Sequence, residues 1–395
     1  RLDALGYDLI QRATAPAPRD DIVIVAIDDR SLAELGGWPF ARSVHAQAID
    51  HLREAGVRAV AYDVLFLDPT PDDDVLGASL KRAGDVHVPL IVDAPGDNGA
   101  PWREQRPPQS IASGAASLNQ VNLAPDSDGV VRRQPLYLEA DGVRWDHLVL
   151  PLARAGGARV PPPSTTTGAG LRATTPLPVR YVSGARGFRT AAFVDLVRDE
   201  TPRAILRDKL VLVGATAPGL GDRYATPTNS GQLTPGVEIQ ASLLQTLLNG
   251  DAPRIAPPGV SLALGLTLLG VLFAGFLRLS PTANLLLAVA VALCGIAICV
   301  GLYLGAALWV SSVPLLVGIL IALPLWSWRR LAATAAHVED ELKALRHRPE
   351  LLSRARTSVE PGDALERQML DLRFAVTRLQ DLEHFISDTL HGLPD

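Results

Sequence analysis

The sequence predicts an α/β domain with a mixed, largely parallel sheet, followed by three transmembrane α-helices and then coiled-coil-like helices. Three observations carry this expectation. Apolar, β-branched runs alternate with segments of helical period in the N-terminal part. Ile255 to Trp328 is almost free of charge, and heptad-spaced apolar residues leave the end of that block. The 395 residues suffice for more than one domain.

Residues Leu2 to Arg12 read as a short helix ended by a joint at Pro16 and Pro18. Ile22 to Ile27 is an unbroken apolar run closed by Asp28 and Asp29, the pattern of a strand buried on both faces of a parallel sheet. Val44, Ile49 and Leu52 mark a helix stopped by Gly56. Val57 to Leu65 is a second strand with Asp63 near its end. Asp72 to Asp74 open an acidic helix start favoured by the helix dipole, Gly84 ends that helix, and Val86 to Val92 is a third strand. Strand, helix, strand, helix, strand at this spacing is α/β. The middle is less regular. Ala94 to Gln109 reads as a Pro/Gly-rich loop containing Trp102. Asn119 to Leu123 and Val130 to Leu138 read as strands around PDSDG, with a further hairpin at Ala140 to Gly142. A helix is expected over His147 to Ala155, a low-complexity insertion over 156–178, and strands over Val179 to Ser183 and Leu210 to Val213. A last helix runs from Pro235 through Leu248 and ends at Asn249-Gly250.

The phrases IVIVAIDDRSLAELGGWP, GVRAVAYDVLF, VNLAPDSDGVVRR, LVLVGATAPGLGDRYATP and TPGVEIQASLLQTLL occur in this order. Together they resemble the type-two CHASE domain, an extracytoplasmic sensor domain of bacterial membrane receptors, over residues 21–249. The family commonly has an aromatic and a Pro before the Arg of its WP segment; here Phe40 and Ala41 precede Arg42. The resemblance implies a sensor at 21–254, with 1–20 following a further membrane helix upstream. It also implies a cytoplasmic output, most often a histidine kinase and less often a nucleotide cyclase or diguanylate enzyme.

The uncharged block holds 23 residues between Arg254 and Arg278 and 50 between Arg278 and Arg329. A span takes about 20 apolar residues, so one span and then two fit, near 258–277, 283–303 and 306–328. Arg278, Arg329 and Arg330 with Trp326 and Trp328 favour the cytoplasmic face, and Arg254 at the outer end dissents. The expectation is a multi-pass protein of the bacterial inner membrane, with residues 1–254 outside and 329–395 in the cytoplasm. No Asp, Glu, Lys, Arg or His lies within the spans, so a proton relay is not expected. Pro314 and Pro324 are expected to kink the last span, and Gly265, Gly270 and Gly275 to allow close helix approach.

Beyond the membrane, Trp328, Leu331, Ala335, Val338, Leu342 and Leu345 form a heptad seam running straight out of the last span, a helical extension over 329–348. Pro349 and Pro361 break it over 349–362. Leu365, Met369, Leu372, Val376 and Leu379 resume it within a helical transmitter over 363–395. The seam suggests a homodimer. His384 is followed by Phe385-Ile386-Ser387-Asp388 rather than a kinase phospho-acceptor box, whereas FISDTLHGLPD is similar to the entry of a PAS domain.

In open α/β sheets, ligands bind beyond the carboxyl ends of the strands. Asp28, Asp63 and Asp222 follow three such ends, and Trp38 and Arg42 lie on the connection leaving the first strand. These five are the candidate ligand-binding residues, carboxylates for a cation or amine and Arg42 for an anion. The alternative is that they cap helices and pair to hold loops. No cofactor or metal is expected. Asp126-Ser127-Asp128-Gly129 lacks the Gly and Glu of a calcium loop, and Gly214 to Gly221 lacks the Lys-Ser/Thr of a phosphate loop. His45 and His51, read as lying on a surface helix, are badly spaced for a metal pair. The only cysteines, Cys294 and Cys299, fall in the membrane block. No catalytic motif is present, and a net charge of −5 gives no footing for nucleic acid. The expected partners are an extracytoplasmic ligand, the lipid bilayer, a second copy, an output domain and its response regulator. A membrane-anchored ectoenzyme and a partner-binding protein remain the alternatives.

Overall fold

Strand formation begins where the sequence places it. After helix α1 (Leu2–Ala13), β1 (Ile22–Ile27) is buried along its whole length. The structure, a computed structural model, describes residues 2–93, 102–164, 170–182, 187–221, 223–229 and 231–346. The readings placed on Asp222, Leu372, Val376, Leu379, His384 and the PAS-like end lie outside these residues. Contacts divide the chain into one unit of residues 1–267 and 293–314 and another of 268–292 and 315–395.

In the first unit, α2 (Asp29–Leu35) and α3 (Arg42–Ala55) follow β1, and Gly56 closes α3 at φ 73°, a left-handed cap that suits glycine. Then come β2 (Ala59–Asp63), α4 (Asp73–Ala83), β3 (Val86–Asp93), β4 (Arg103–Gln105), α5 (Gln109–Gly114) and β5 (Ser117–Gln120). A hairpin of β6 (Arg133–Ala140) and β7 (Val143–Asp146) turns through Asp141 and Gly142, both at positive φ, as a two-residue hairpin loop requires. It leads to α6 (Val149–Ala155), β8 (Arg172–Pro178), β9 (Arg189–Ala192), α7 (Phe193–Val197) and α8 (Arg203–Leu206). The domain closes with β10 (Leu210–Ala215), β11 (Arg223–Tyr224), β12 (Thr234–Pro235) and α9 (Gly236–Asn249).

The main sheet has the order β9-β1-β10-β2-β3, every pair parallel. Along β3, β5 joins in parallel and β4 antiparallel, so the sheet is mixed and largely parallel, as expected. Both faces are covered, which is why its strands read as continuous apolar runs. Ile22, Ile24 and Ala26 pack with Leu152 of α6 and Leu243 of α9. Val23, Val25 and Ile27 point the other way, to Ile49 and Leu52 of α3, Leu80 of α4 and Phe193 of α7. Gly214 in β10 lets α9 approach, because a Cβ there would lie 2.7 Å from that of Val237.

A second sheet has the antiparallel order β7-β6-β8. Two expectations need correction here. The low-complexity stretch supplies β8, paired with β6 from Arg133↔Pro178 to Glu139↔Arg172. Residues 179–182 form no strand: the Val179 amide bonds to Arg132 O at 2.9 Å, and its carbonyl accepts from Gln11 at 3.1 Å. The last neighbour of β1 is β9, whose RTAA has no apolar signature.

Beyond β13 (Arg254–Ile255), α10 (Pro258–Arg278), α11 (Pro281–Ala306) and α12 (Val313–Arg346) are long and apolar enough to cross a membrane. The third begins at Val313, not Ala306, because Leu308–Trp309 form β14, which pairs in parallel with β13. Pro314 therefore sits in the first turn of α12, where its missing N–H costs nothing, and Pro324 is the proline inside it. Within the second unit, Leu272, Phe276, Ala288, Val291, Leu315 and Ile319 pack together, and Phe276 stacks on Trp326 at 4.7 Å. A Cβ on Gly275 would meet Leu287 and one on Gly318 would meet Leu269, whereas Gly270 faces open space. Within the first unit, Tyr7 and Ile10 of α1 pack with Tyr303 and Trp309.

Candidate functional site

Parallel strands bring their carboxyl ends to one edge. Ile27, just before Asp28, pairs with Ala215, and Asp63 pairs with Gly214, so β10 lies between the two strands and sets their backbones two strand spacings apart, about 10 Å. Of the candidate residues, Asp28, Trp38, Arg42 and Asp63 are described, and most of their polar groups are engaged within the domain.

Asp28 is the N-cap of α2. Its Oδ1 accepts from the Ser31 amide at 2.8 Å and the Ser31 hydroxyl at 2.7 Å, satisfying donors that a helix start leaves open. Ser31 Oγ in turn accepts from the Val194 amide at 3.1 Å, which ties α2 to α7. Arg42 opens α3 and is 8% exposed. Its Nε donates to Asp73 at 2.9 Å, its Nη2 to Asp68 O at 2.8 Å, and its guanidinium lies 4.7 Å above the Phe66 ring. Burial pushes the Asp73 carboxyl up, but the Thr70 amide and hydroxyl and Arg42 outweigh it and hold the carboxyl below its usual range.

Trp38, joined to Pro39 by a cis peptide, sits edge-on to Phe40 at 5.2 Å and His45 at 6.1 Å. His45 is 1% exposed, which corrects its reading as a surface residue. Its ring lies among Phe40, Phe66 and Phe193, and its Nδ1 is 2.8 Å from the Tyr62 hydroxyl. Burial, helped by Arg42, pushes its pKa down to about 3. A sequence signal for this existed, because His45, Ile49 and Leu52 follow the i, i+4, i+7 spacing of one helix face. His51 faces the Leu196 carbonyl at 2.8 Å.

The polar end of this edge lies beside α9. Asp63 accepts from Gln240 Nε2 at 2.8 Å, and Gln240 is buried with its Oε1 unpartnered among the described residues. Glu238 precedes Gln240 by two residues, and burial raises its carboxyl while Arg223 opposes the shift. Arg223 donates to Thr216 O at 2.9 Å and to Leu233 O, bracing the loop after β10. Gln240, Glu238 and Arg223 escaped the sequence, because only the packing of α9 across β10 and β1 brings them here. The amides of Thr216 and Ala217 bond to Ile27 O, so this glycine-rich loop spends on the sheet the donors a phosphate would need. Among the described residues no group of three His, Cys, Asp or Glu is arranged to hold a metal.

The PDSDG turn is tied by its own side chains. Asp126 and Asp128 hold Arg132 at 3.1 and 2.9 Å, and Asp8 of α1 holds it at 2.8 Å. The bond from Arg132, helped by the Val130 amide and opposed by burial, pushes the Asp128 carboxyl down to about 2. On α12, Trp328 and Leu331 are 75% and 64% exposed and Val338 is half-buried. Leu342 and Leu345 continue the same helix.

The chain is thus an α/β domain with both sheet faces covered, followed by three helices long and apolar enough to cross a membrane. The sequence model of the CHASE2 domain matches residues 1–277, and the chain belongs to that family. With its membrane helices it is a transmembrane sensor protein. No curated protein and no solved structure matches the chain.

Proposed function

We propose that this protein is a receptor of the bacterial inner membrane that senses an extracytoplasmic stimulus and drives a cytoplasmic histidine kinase, which signals to a response regulator. The observation that carries this reading is the continuity of α12. Its 34 residues extend about 51 Å at 1.5 Å per residue, against a hydrocarbon core of about 30 Å, so one unbroken helix projects well beyond the bilayer. The stretch beyond Trp328 carries the heptad positions Leu331, 64% exposed, and Val338, which suit a second copy of the chain. The arginines at Arg278, Arg329 and Arg330 support a cytoplasmic exit and hence an outward sensor domain.

Ligand recognition is assigned to the carboxyl edge of the sheet, with Asp63 and Trp38 toward the ligand and Asp28 and Arg42 holding the surrounding loops. A ligand biases the receptor only by the difference in its affinity for two arrangements of this edge. Inserting two residues between Ala333 and Glu341 turns everything downstream by about 200° while leaving the sensor untouched. In the protein with its output module, this insertion is expected to make output independent of stimulus, and a seven-residue insertion to restore the response. A normal response after the two-residue insertion would overturn the continuous-helix reading.

A further inference from the structure

A groove of about 540 Å³ is lined in part by Ala252 to Ile255, just ahead of the first membrane-length helix in the chain, and the proposed signalling role makes no use of it. Arg133, Arg159 and Arg254 line it together with an apolar wall that includes Leu177, Pro253 and Ile255, and no Asp or Glu is among its lining residues. Arg133 leans on Asp126 at 3.2 Å. The side chains of Arg159 and Arg254 are exposed and have no ion pair or hydrogen bond among the described residues. Asp251, the acidic residue nearest Arg254 in the chain, is held by Arg180 at 3.1 Å.

The position of the groove says what it meets. Arg254 and Ile255 form β13, paired with β14 between α11 and α12, and α10 begins at Pro258. Ile255 is 55% exposed although it lies at the foot of a membrane helix. The groove therefore opens at the level of lipid headgroups, with cationic forks beside an apolar wall. Guanidinium groups bind phosphate oxygens in a planar, two-point fashion. We propose that this groove holds the anionic headgroup of a phospholipid from the leaflet on the sensor side, with the phosphate between Arg159 and Arg254 and the glycerol and first methylenes against Ile255 and Leu177. This assignment gives Arg254 a role at the one place where a basic residue runs against the charge bias of the membrane block.

The test uses the full chain reconstituted in phosphatidylcholine vesicles containing a minor fraction of phosphatidylglycerol. Lipid retained by the protein after gentle detergent extraction is counted by native mass spectrometry. The wild type is expected to retain phosphatidylglycerol in preference to phosphatidylcholine. One arginine near an anionic bilayer surface changes affinity about fivefold, so Arg159→Gln with Arg254→Gln is expected to cut retention about 25-fold, and each single change about fivefold. Arg159→Lys with Arg254→Lys should keep most of it. Arg189→Gln with Arg207→Gln removes the same charge from exposed arginines outside the groove and should leave retention unchanged. Full retention in the double Gln variant, or equal loss in the Arg189/Arg207 control, would overturn the proposal. So would displacement of the lipid by soluble glycerol phosphate at matched concentration, which would make this a free-anion site. All four positions are exposed, and unchanged thermal melting of each variant confirms that the fold is intact.

Discussion

Arg42 offers the sharpest choice between a ligand-binding and a structural role. Its ion pair with Asp73 is buried, with side chains 9% and 6% exposed, and the guanidinium also covers Phe66. Arg42→Ala strips the cation from a carboxylate that stays buried, which costs about 3–5 kcal/mol, with a further ~0.5–1 kcal/mol from the lost cation–π contact. For a domain of this size 1 kcal/mol moves the melting temperature by about 2–4 °C, so a drop of roughly 7–24 °C is expected. Replacing both partners, Arg42→Leu with Asp73→Leu, removes the stranded charge and should recover most of the loss. Circular dichroism melts of the full chain in detergent measure both. Acid adds a sign check. The Asp73 carboxyl is depressed in the folded state, so its stabilisation is complete above the ordinary Asp value of about 3.9 and is lost as pH falls through the folded value. The gap between wild type and Arg42→Ala should therefore narrow at low pH. If Arg42→Ala melts within about 2 °C of wild type, a shift worth less than about 1 kcal/mol, the structural reasoning fails and Arg42 returns as a ligand group.

Gly214→Ala is expected to lower stability by about 1–3 kcal/mol, read in the same melts, because its Cβ would lie 2.7 Å from that of Val237; adding Val237→Ala should recover part of the loss. His45 gives a pH dependence. With its pKa down at about 3, the folded state refuses a proton that the unfolded chain accepts below about 6.5, so stability should fall steadily as pH drops from 6.5 toward 3. His45→Gln can keep a bond to Tyr62 without titrating, and it should flatten that slope; an unchanged slope would mean that His45 is protonated in the fold.

The parts of the fold that could be read directly are those whose signal is local. β1 and β10 are apolar runs long enough to be buried on both faces, and α3, α4 and α9 each combine an apolar face with a glycine stop at Gly56, Gly84 and Gly250. The elements that escaped depend on distant partners. β8 exists because β6 offers it a ladder, β9 because β1 has an open edge, and β14 because β13 lies beside it. The candidate site divides the same way. Asp28, Asp63, Trp38 and Arg42 were visible as polar or aromatic residues near strand ends. Asp28 caps its own helix three residues on, but the bonds of Arg42 to Asp73 and of Asp63 to Gln240 join segments that no local spacing relates, and Gln240 is 177 residues from Asp63.

Composition and periodicity alone determined that this chain carries a doubly covered α/β domain, three membrane-length helices and a helical exit, because burial demands an apolar pattern wherever it occurs. Only the tertiary structure decided that β10 enters between β1 and β2, that Arg42 and His45 are interior groups, and that Arg133, Arg159 and Arg254 share one groove. Strand order and charge pairing are set by long-range contacts, whose energies depend on which surfaces meet, and one-dimensional spacing does not record that.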